Sequence, residues 1–445
     1  MIIRSISGVR GLTPSHLNVD MLRVYARALH TYLEEGLVFL GRDSRPSGEE
    51  LLEVFTDELV RLGRDIIVCG IVPTPTVQFM VERSEAAGGV IITASHNPIE
   101  WNGIKFVRSD GTFFTSEDCQ TLFDLVDNDN PIKDNKQPGM AFPDQNSILK
   151  HSIKTVELSC INAKAIRDSK FKVVIDAVNG AGSSALPMLL EQLGCDVIKI
   201  FCEENGQFDR GTEPLPHHLD LLQKTVLENN ADVGFAVDPD ADRLAVVNEK
   251  GKPLGEEYTL VIAAEGYIRS KQSKETFVTN LSTSLALDKM AELHGCSVER
   301  AAVGEINVVQ KMLEIGSELG GEGNGGVILK EAHLGRDSLV GVAMVLNRMS
   351  QDRTPISKIH ESLPQFYMVK DKIDLDKVDK DTVMKQALNI FKDANVNKID
   401  GLKFSWDDRW IHLRGSNTEP ILRIYAEAPT KSDAQLLVDR IRTLM

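Results

Sequence analysis

Apolar and polar positions between residues 37 and 93 change their spacing repeatedly. "LVFLG" and "DIIVCG" are short apolar runs, "GEELLEVFTDELVRLG" and "TPTVQFMVE" read as helices, and "GGVIIT" returns to a continuous apolar run. Short apolar runs alternating with helices predict βαβ units on a parallel sheet. The same order recurs at "KFKVVIDAVNGAGSSALPMLLEQLGCDVIKIF" and again at "ETFVTNLSTSLALDKMAELHGCSVERAAVGEINVVQKMLEIG". Polar breaks separate the three series, "DNDNPIKDNKQPG" before the second and the hairpin-like "NEKGKPLGEE" before the third. Near Pro364 the pattern changes. "QFYMVKDKIDL" predicts a strand, "KDTVMKQALNIFKDAN" a helix, and "LKFSWDDRWIHLRG" a hairpin turning at Asp407 and Asp408. A last strand, "PILRIYAEA", leads into the helix "SDAQLLVDRIRTLM". The expected fold class is α/β: three similar doubly wound α/β domains, residues 1–150, 151–252 and 253–364, followed by a smaller α+β C-terminal domain, residues 365–445.

The 445 residues agree with this division, since one domain takes roughly 150 residues. Hydrophobic residues make up 42% and charged residues 26%, the balance of an ordinary globular protein. Charge narrows the function more. With 50 Lys+Arg against 65 Asp+Glu the formal net charge is -15, and no basic stripe is visible. Such a surface repels nucleic-acid phosphates and anionic lipid, so neither nucleic acid nor membrane is expected as a partner. An anionic ligand would need its arginines and lysines gathered in one cleft. The opening "MIIRSISGVRGL" has no apolar signal region and no later stretch has the length to span a bilayer, so a cytoplasmic protein is expected. The six cysteines form no C-x-x-C pair and read as reduced thiols.

Open α/β sheets place ligand sites beyond the carboxyl ends of their strands, and each series carries one unusual loop there. In the first, "TASHNP" puts Ser95 just past a buried strand. Its hydroxyl suits an N-cap or ST-turn, or a serine that carries phosphate; the G-x-S-x-G elbow of a hydrolase nucleophile is absent. Lys105 in "NGIKF" offers a cation nearby. In the second, "AVDPDADRLAVV" crowds Asp238, Asp240 and Asp242 into one turn, where they repel unless a cation sits between them. The spacing imitates a calcium loop with Glu249 at its twelfth position, but Arg243 stands where glycine is required and the flanks are strands. Mg²⁺ with a phosphate-bearing partner fits better; a solvated acidic turn is the plain alternative. In the third, "GGEGNGGVIL" offers Glu322 and Asn324 to sugar hydroxyls, or is a simple linker. The last domain adds "RGSNTEPILR", where Arg414, Ser416, Asn417, Thr418 and Arg423 have the donors of a phosphate clamp; a capped turn with a surface ion pair is the alternative. "GRDSRPSG", with Arg42 and Arg45, reads as a strand end entering a helix.

These four loops together resemble the α-D-phosphohexomutase family of phosphoglucomutases, phosphomannomutases and phosphoglucosamine mutases, and the resemblance covers essentially the whole chain. It is most specific in "TASHNP" and "DPDADR", and extends to "RGSNTEPILR", "GEGNGG" and the N-terminal "GVRG". It implies a heart-shaped molecule with a central cleft, phosphorylation of Ser95, and Mg²⁺ bound by Asp238, Asp240 and Asp242 together with that phosphate. It implies catalytic work for Ser95, Lys105, Arg10 and Arg243, and substrate binding by Glu322, Asn324, Arg414, Ser416, Asn417, Thr418 and Arg423. A lysine desolvated among cations would have a lowered pKa, and Lys105 and Arg10 are the candidates for proton transfer. His96 is read as structural. Hexose 1,6-bisphosphate is the implied activator, phosphosugars the partners, and a monomer or homodimer the assembly. Where many relatives carry a histidine in the third loop this chain has Gly326, with His333 the nearest imidazole. The loop variants lean slightly toward glucosamine phosphate, with mannose or glucose phosphate close behind. A phosphosugar-binding protein without turnover and a sugar phosphatase are the rival readings.

Overall fold

A computed structural model describes residues 2–128, 137–375, 379–415 and 421–444. Its strands form four sheets. The first has seven strands, ordered Ile3–Ser5, Gly8–Leu12, Trp101–Arg108, Gly88–Ile92, Val38–Arg42, Ile66–Ile71 and Ala141–Pro143. The runs read as buried strands lie parallel at its centre. The helices Gly48–Arg61 and Thr74–Glu82 match their apolar spacing. Four elements of this domain did not stand out by spacing: the N-terminal hairpin, the helices Val19–Tyr32 and Ser116–Asp127, and the strand Trp101–Arg108. That strand pairs antiparallel on both sides, to Gly88–Ile92 and to Gly8–Leu12, and carries Lys105.

The second sheet runs Leu244–Asn248, Val233–Val237, Lys172–Asp176, Asp196–Ile200, and the third Ser297–Ala301, Thr276–Asn280, Leu319–Glu322, Gly326–Leu329. In all three domains the notable loop occupies one topological corner. It leaves a strand that is parallel to its inner neighbour and enters an antiparallel partner: Ile92 to Trp101, Val237 to Leu244, Glu322 to Gly326. The fourth sheet is wholly antiparallel, ordered Tyr367–Asp374, Ile421–Ala428, Trp410–Gly415, Leu402–Ser405, Asn395–Asn397. Its hairpin turns at Asp407 and Asp408 as expected, with Trp406 N–H donating to Arg409 O.

Apolar side chains sort by sheet face. Val90, Phe106 and Phe55 fill one face of the first sheet, and Val77, Phe79 and Ile91 the other. The second and third sheets share one inner core, where Phe235 and Leu186 join Leu260, Val340 and Leu346. This core encloses the helices Glu257–Lys271 and Ser338–Asp352, which are buried nearly all round and whose polar residues are therefore held inside the molecule, as Arg348 is by Glu265. The fourth domain keeps its own core around Phe391, Phe404 and Ile424. It meets the third domain through polar contacts: Lys403 Nζ donates to Leu281 O at 2.6 Å, and Leu285 N–H to Glu427 Oε2 at 2.7 Å. No helix among the described residues is long and apolar enough to cross a membrane.

Candidate active site

The corner loops of the first three domains and the last sheet face one cleft of about 420 Å³, within the size range of small-molecule sites. Arg10, Ser95, His96 and Lys105 enter it from the first domain, and Glu213 and Arg243 from the second. Glu305, Glu322, Asn324 and Arg336 enter from the third, and Lys370, Arg414, Arg423 and Tyr425 from the fourth. Cations are thus concentrated inside an otherwise acidic molecule, as an anionic ligand requires. Ser416, Asn417 and Thr418 lie outside the described residues.

Ser95 sits at the exit of its strand with φ 51°, a left-handed conformation uncommon for a residue with a Cβ. What holds it is Arg45, whose side chain is fully buried. Arg45 donates to Ser95 O at 2.8 Å, Trp101 O at 2.9 Å and Asn97 O, and pairs with Asp43 at 2.7 Å. Thr93 Oγ1 donates to Asp43 and accepts from Ser95 N–H. The loop pairs with itself at Asn97 N–H to Ala94 O and Trp101 N–H to Pro98 O, and one guanidinium satisfies the Ser95, Asn97 and Trp101 carbonyls besides. Replacing it with methionine will strand the Asp43 carboxylate in the interior, and we expect Arg45→Met to lose about 3–5 kcal/mol. Chemical denaturation measures this; a loss under about 1 kcal/mol, within the range of surface changes, would show that the loop is held otherwise.

Ser95 Oγ donates to Asp238 Oδ2 at 3.3 Å and lies 3.2 Å from His96 Nδ1. An arginine can only donate, so Nδ1 of His96 accepts from Arg243 Nη2 at 3.0 Å. Burial, with Arg243 and Arg10 nearby, holds the imidazole well below its ordinary range. His96 thus bridges the serine loop and the aspartate loop, more than the loop-fixing role read from sequence. Arg10 Nη1 donates to Asn97 Oδ1 at 2.8 Å, and burial brings its pKa down to about 10, leaving it charged at neutral pH.

Asp238, Asp240 and Asp242 are fully buried, with one ligand atom from each within 4.8 Å of the others. Lys105 Nζ reaches Asp240 Oδ2 at 2.6 Å and Asp242 Oδ2 at 3.5 Å, and Thr74 Oγ1 donates to Asp240 Oδ2 at 2.6 Å. Burial, Asp242 and Asp240 push the Asp238 carboxyl well above the usual range. Burial acts the same way on Asp240, but Lys105 together with the hydrogen bonds from Thr74 and Asp238 outweighs it and keeps that group ionised. The Oδ1 atoms of Asp240 and Asp242 are buried without a hydrogen-bond partner among the described residues. Orphaned carboxylate oxygens beside a serine hydroxyl are the hard oxygen set that suits Mg²⁺. Glu249 is engaged elsewhere by Ser357, in keeping with the rejected calcium loop. One expectation is reversed: burial lowers the Lys105 pKa, but Asp240 and Asp242 more than offset this and raise it.

In the third loop Glu322 Oε1 accepts from Asn280 Nδ2 at 2.7 Å and Gly304 N–H at 3.0 Å, so its carboxylate is aimed before any ligand arrives. Gly325 has φ +87°, and a Cβ there would lie 2.4 Å from Leu244 O; only glycine lets this loop dock on the strand leaving the aspartates. Arg414 Nε pairs with Asp400 at 3.1 Å, and Arg423 lies opposite it in the strand pair Trp410–Gly415 and Ile421–Ala428. His333 does not reach the cleft. It is buried with His151 against Asp337, the N-cap of helix Ser338–Asp352. Sequence reasoning missed Thr74, Glu305 and Arg336. Glu305, raised to about 7 by burial, follows Gly304 in "VGEI", and Arg336 stands in "GRDSLVG", neither with a local signal of its role.

The cleft gathers loops from every domain, and the sequence matches known proteins in the same four pieces. Models of the phosphoglucomutase/phosphomannomutase alpha/beta/alpha domains I, II and III match residues 2–133, 150–251 and 255–367, and the C-terminal domain model matches 370–444. A phosphoglucomutase/phosphomannomutase of Thermococcus kodakarensis is 34% identical over 435 residues, 96% of this chain and 95% of that one. A Pyrococcus horikoshii protein described as "Probable phosphoglucosamine mutase" is 35% identical over 448 residues, 99% and 96% of the two chains. The crystal structure of a Burkholderia thailandensis phosphoglucomutase/phosphomannomutase family protein superposes with a TM-score of 0.84 at 25% identity, covering 99% of this chain and 97% of that one. With four domain models in unbroken order and relatives matched nearly end to end, the chain belongs to the phosphoglucomutase/phosphomannomutase family.

Proposed function

We propose that the protein interconverts hexose 1-phosphates and hexose 6-phosphates through a phosphorylated Ser95 and a bisphosphorylated sugar. The observation that carries this reading is the approach of Ser95 Oγ to Asp238, 3.3 Å, at the head of a buried three-aspartate loop in a cation-lined cleft. A Mg²⁺ held by Asp238, Asp240 and Asp242 with an oxygen of the Ser95 phosphate would supply Lewis-acid neutralisation of the transferring group. Lys105, Arg10 and Arg243 stand where equatorial phosphoryl oxygens need positive charge. Glu322 and Asn324 accept from and donate to sugar hydroxyls. Arg414 and Arg423, with Ser416, Asn417 and Thr418, grip the remote phosphate and so orient either end of the sugar. In the forward half the Ser95 Oγ–P bond breaks as a sugar hydroxyl oxygen bonds phosphorus, and the proton that the hydroxyl loses ends on Ser95 Oγ. After the bisphosphate turns over, its other phosphate returns to Ser95. Hexose 1,6-bisphosphate as activator rephosphorylates enzyme that has lost the group.

Glucosamine phosphate is slightly favoured as substrate, followed by mannose and glucose phosphates. The test is parallel turnover of glucosamine 6-phosphate, mannose 1-phosphate and glucose 1-phosphate with Mg²⁺ and a trace of bisphosphate, recording released inorganic phosphate. Isomerisation with little phosphate release is the expected result, and the highest kcat/KM identifies the sugar. Phosphate released at the rate of sugar consumption would identify a phosphatase; binding of all three without conversion would identify a phosphosugar-binding protein.

A further inference from the structure

The metal and sugar loops are joined by a residue that neither contains. Arg336, just before the N-cap of helix Ser338–Asp352, reaches three carboxylates from three elements. Nη2 donates to Asp242 Oδ2 at 2.6 Å, Nη1 to Glu322 Oε2 at 2.7 Å and Nε to Glu305 Oε2 at 3.0 Å. Asp242, Glu322 and Glu305 are all buried, and Arg336 is only 8% exposed. Its passage depends on Gly326, because a Cβ there would sit 2.2 Å from Arg336 Cδ. The methylene stem that carries the guanidinium therefore fills the space that any side chain at residue 326 would claim.

We infer that Arg336 is a positioning residue that ties the cation loop to the sugar loop, its charge loosening the aspartates' hold on a cation and its fork aiming Glu322. The inference rests on the proposed roles of those two loops. The charge effect follows from Coulomb's law: a buried cation hydrogen-bonded to Asp242 opposes a second cation on the same carboxylate. The fork effect follows from geometry. Only a planar group with divergent N–H donors can bridge Asp242, Glu322 and Glu305 at once, which an ammonium on a flexible stem cannot do. Charge and shape are thus separable by substitution.

The experiment measures Mn²⁺ binding by electron paramagnetic resonance and glucose 1-phosphate binding by calorimetry, without turnover, on the whole chain. In Arg336→Gln, Mn²⁺ binds about tenfold tighter while glucose 1-phosphate binds about tenfold weaker, each about 1.4 kcal/mol. Arg336→Lys returns Mn²⁺ affinity to the parent value but leaves sugar phosphate binding weak. Gly326→Ala, which displaces the fork without removing the charge, weakens glucose 1-phosphate binding as well. A merely structural defect would weaken both ligands together, and that result in Arg336→Lys, or an unchanged Mn²⁺ affinity in Arg336→Gln, overturns the inference. Because neither titration requires conversion, absence of mutase activity would overturn the proposed reaction and leave Arg336 still tested.

Discussion

Ser95→Ala will fold like the parent and lose turnover by about 10⁴-fold or more, the scale on which removal of a nucleophile acts. The fold survives because the hydroxyl makes only the 3.3 Å bond to Asp238 and the contact with His96, while Arg45 holds the loop through backbone carbonyls. One such hydrogen bond is worth about 1 kcal/mol, and alanine meets the same backbone demand as serine at φ 51°. Parallel thermal melts and initial rates check both halves. Incubation with hexose bisphosphate carrying labelled phosphate adds a direct reading: the parent acquires label that survives denaturation and the variant does not. A variant that keeps a tenth of its activity would remove Ser95 from the reaction.

Chelation of divalent cations will stop turnover and added Mg²⁺ will restore it, and Asp240→Asn will lower kcat by about 10³-fold, the several kcal/mol a Lewis-acid cation supplies. Asp240 is the informative member of the three. Asparagine keeps its shape and its bond from Thr74, but removes the charge that faces Lys105 at 2.6 Å. Asp242, 3.5 Å away, is then the carboxylate left to pair with Lys105, so the variant disturbs the cation and the lysine together. The dependence of kcat on Mg²⁺ concentration separates these: a lost metal ligand moves the midpoint upward, whereas a lost lysine partner lowers the plateau alone. Turnover indifferent to chelator would leave the aspartates as partners of Lys105, Arg243 and Arg336 only.

The central strands were legible because parallel strands buried on both faces read as uninterrupted apolar runs, as in Gly88–Ile92 and Val233–Val237. Trp101–Arg108 was not, since its buried run is interrupted by Asn102, Gly103 and Lys105, the last of which lines the cleft. Asn102 bonds Ser47, and a Cβ at Gly103 would fall 2.6 Å from Val9 O. The loops that bring Ser95, the aspartates and Glu322 together were visible by composition, because crowded acids and glycines violate ordinary turn chemistry. Arg336 and Glu305 violate nothing locally. Their meaning comes from side chains far away in sequence, which no window of residues contains.

The second and third domains share one apolar interior, whereas the fourth closes its own around Phe391 and Phe404 and touches the third through hydrogen bonds, the ion pairs of Lys370 with Glu256 and Glu257, and Phe366. Cooperativity in unfolding follows shared cores. The middle pair therefore melts as one block, and the final domain can come apart while exposing little of that block's apolar surface beyond what Phe366 covers. A single melting midpoint for this chain would then average transitions of unequal size, and the free energy extracted from it would belong to none of them.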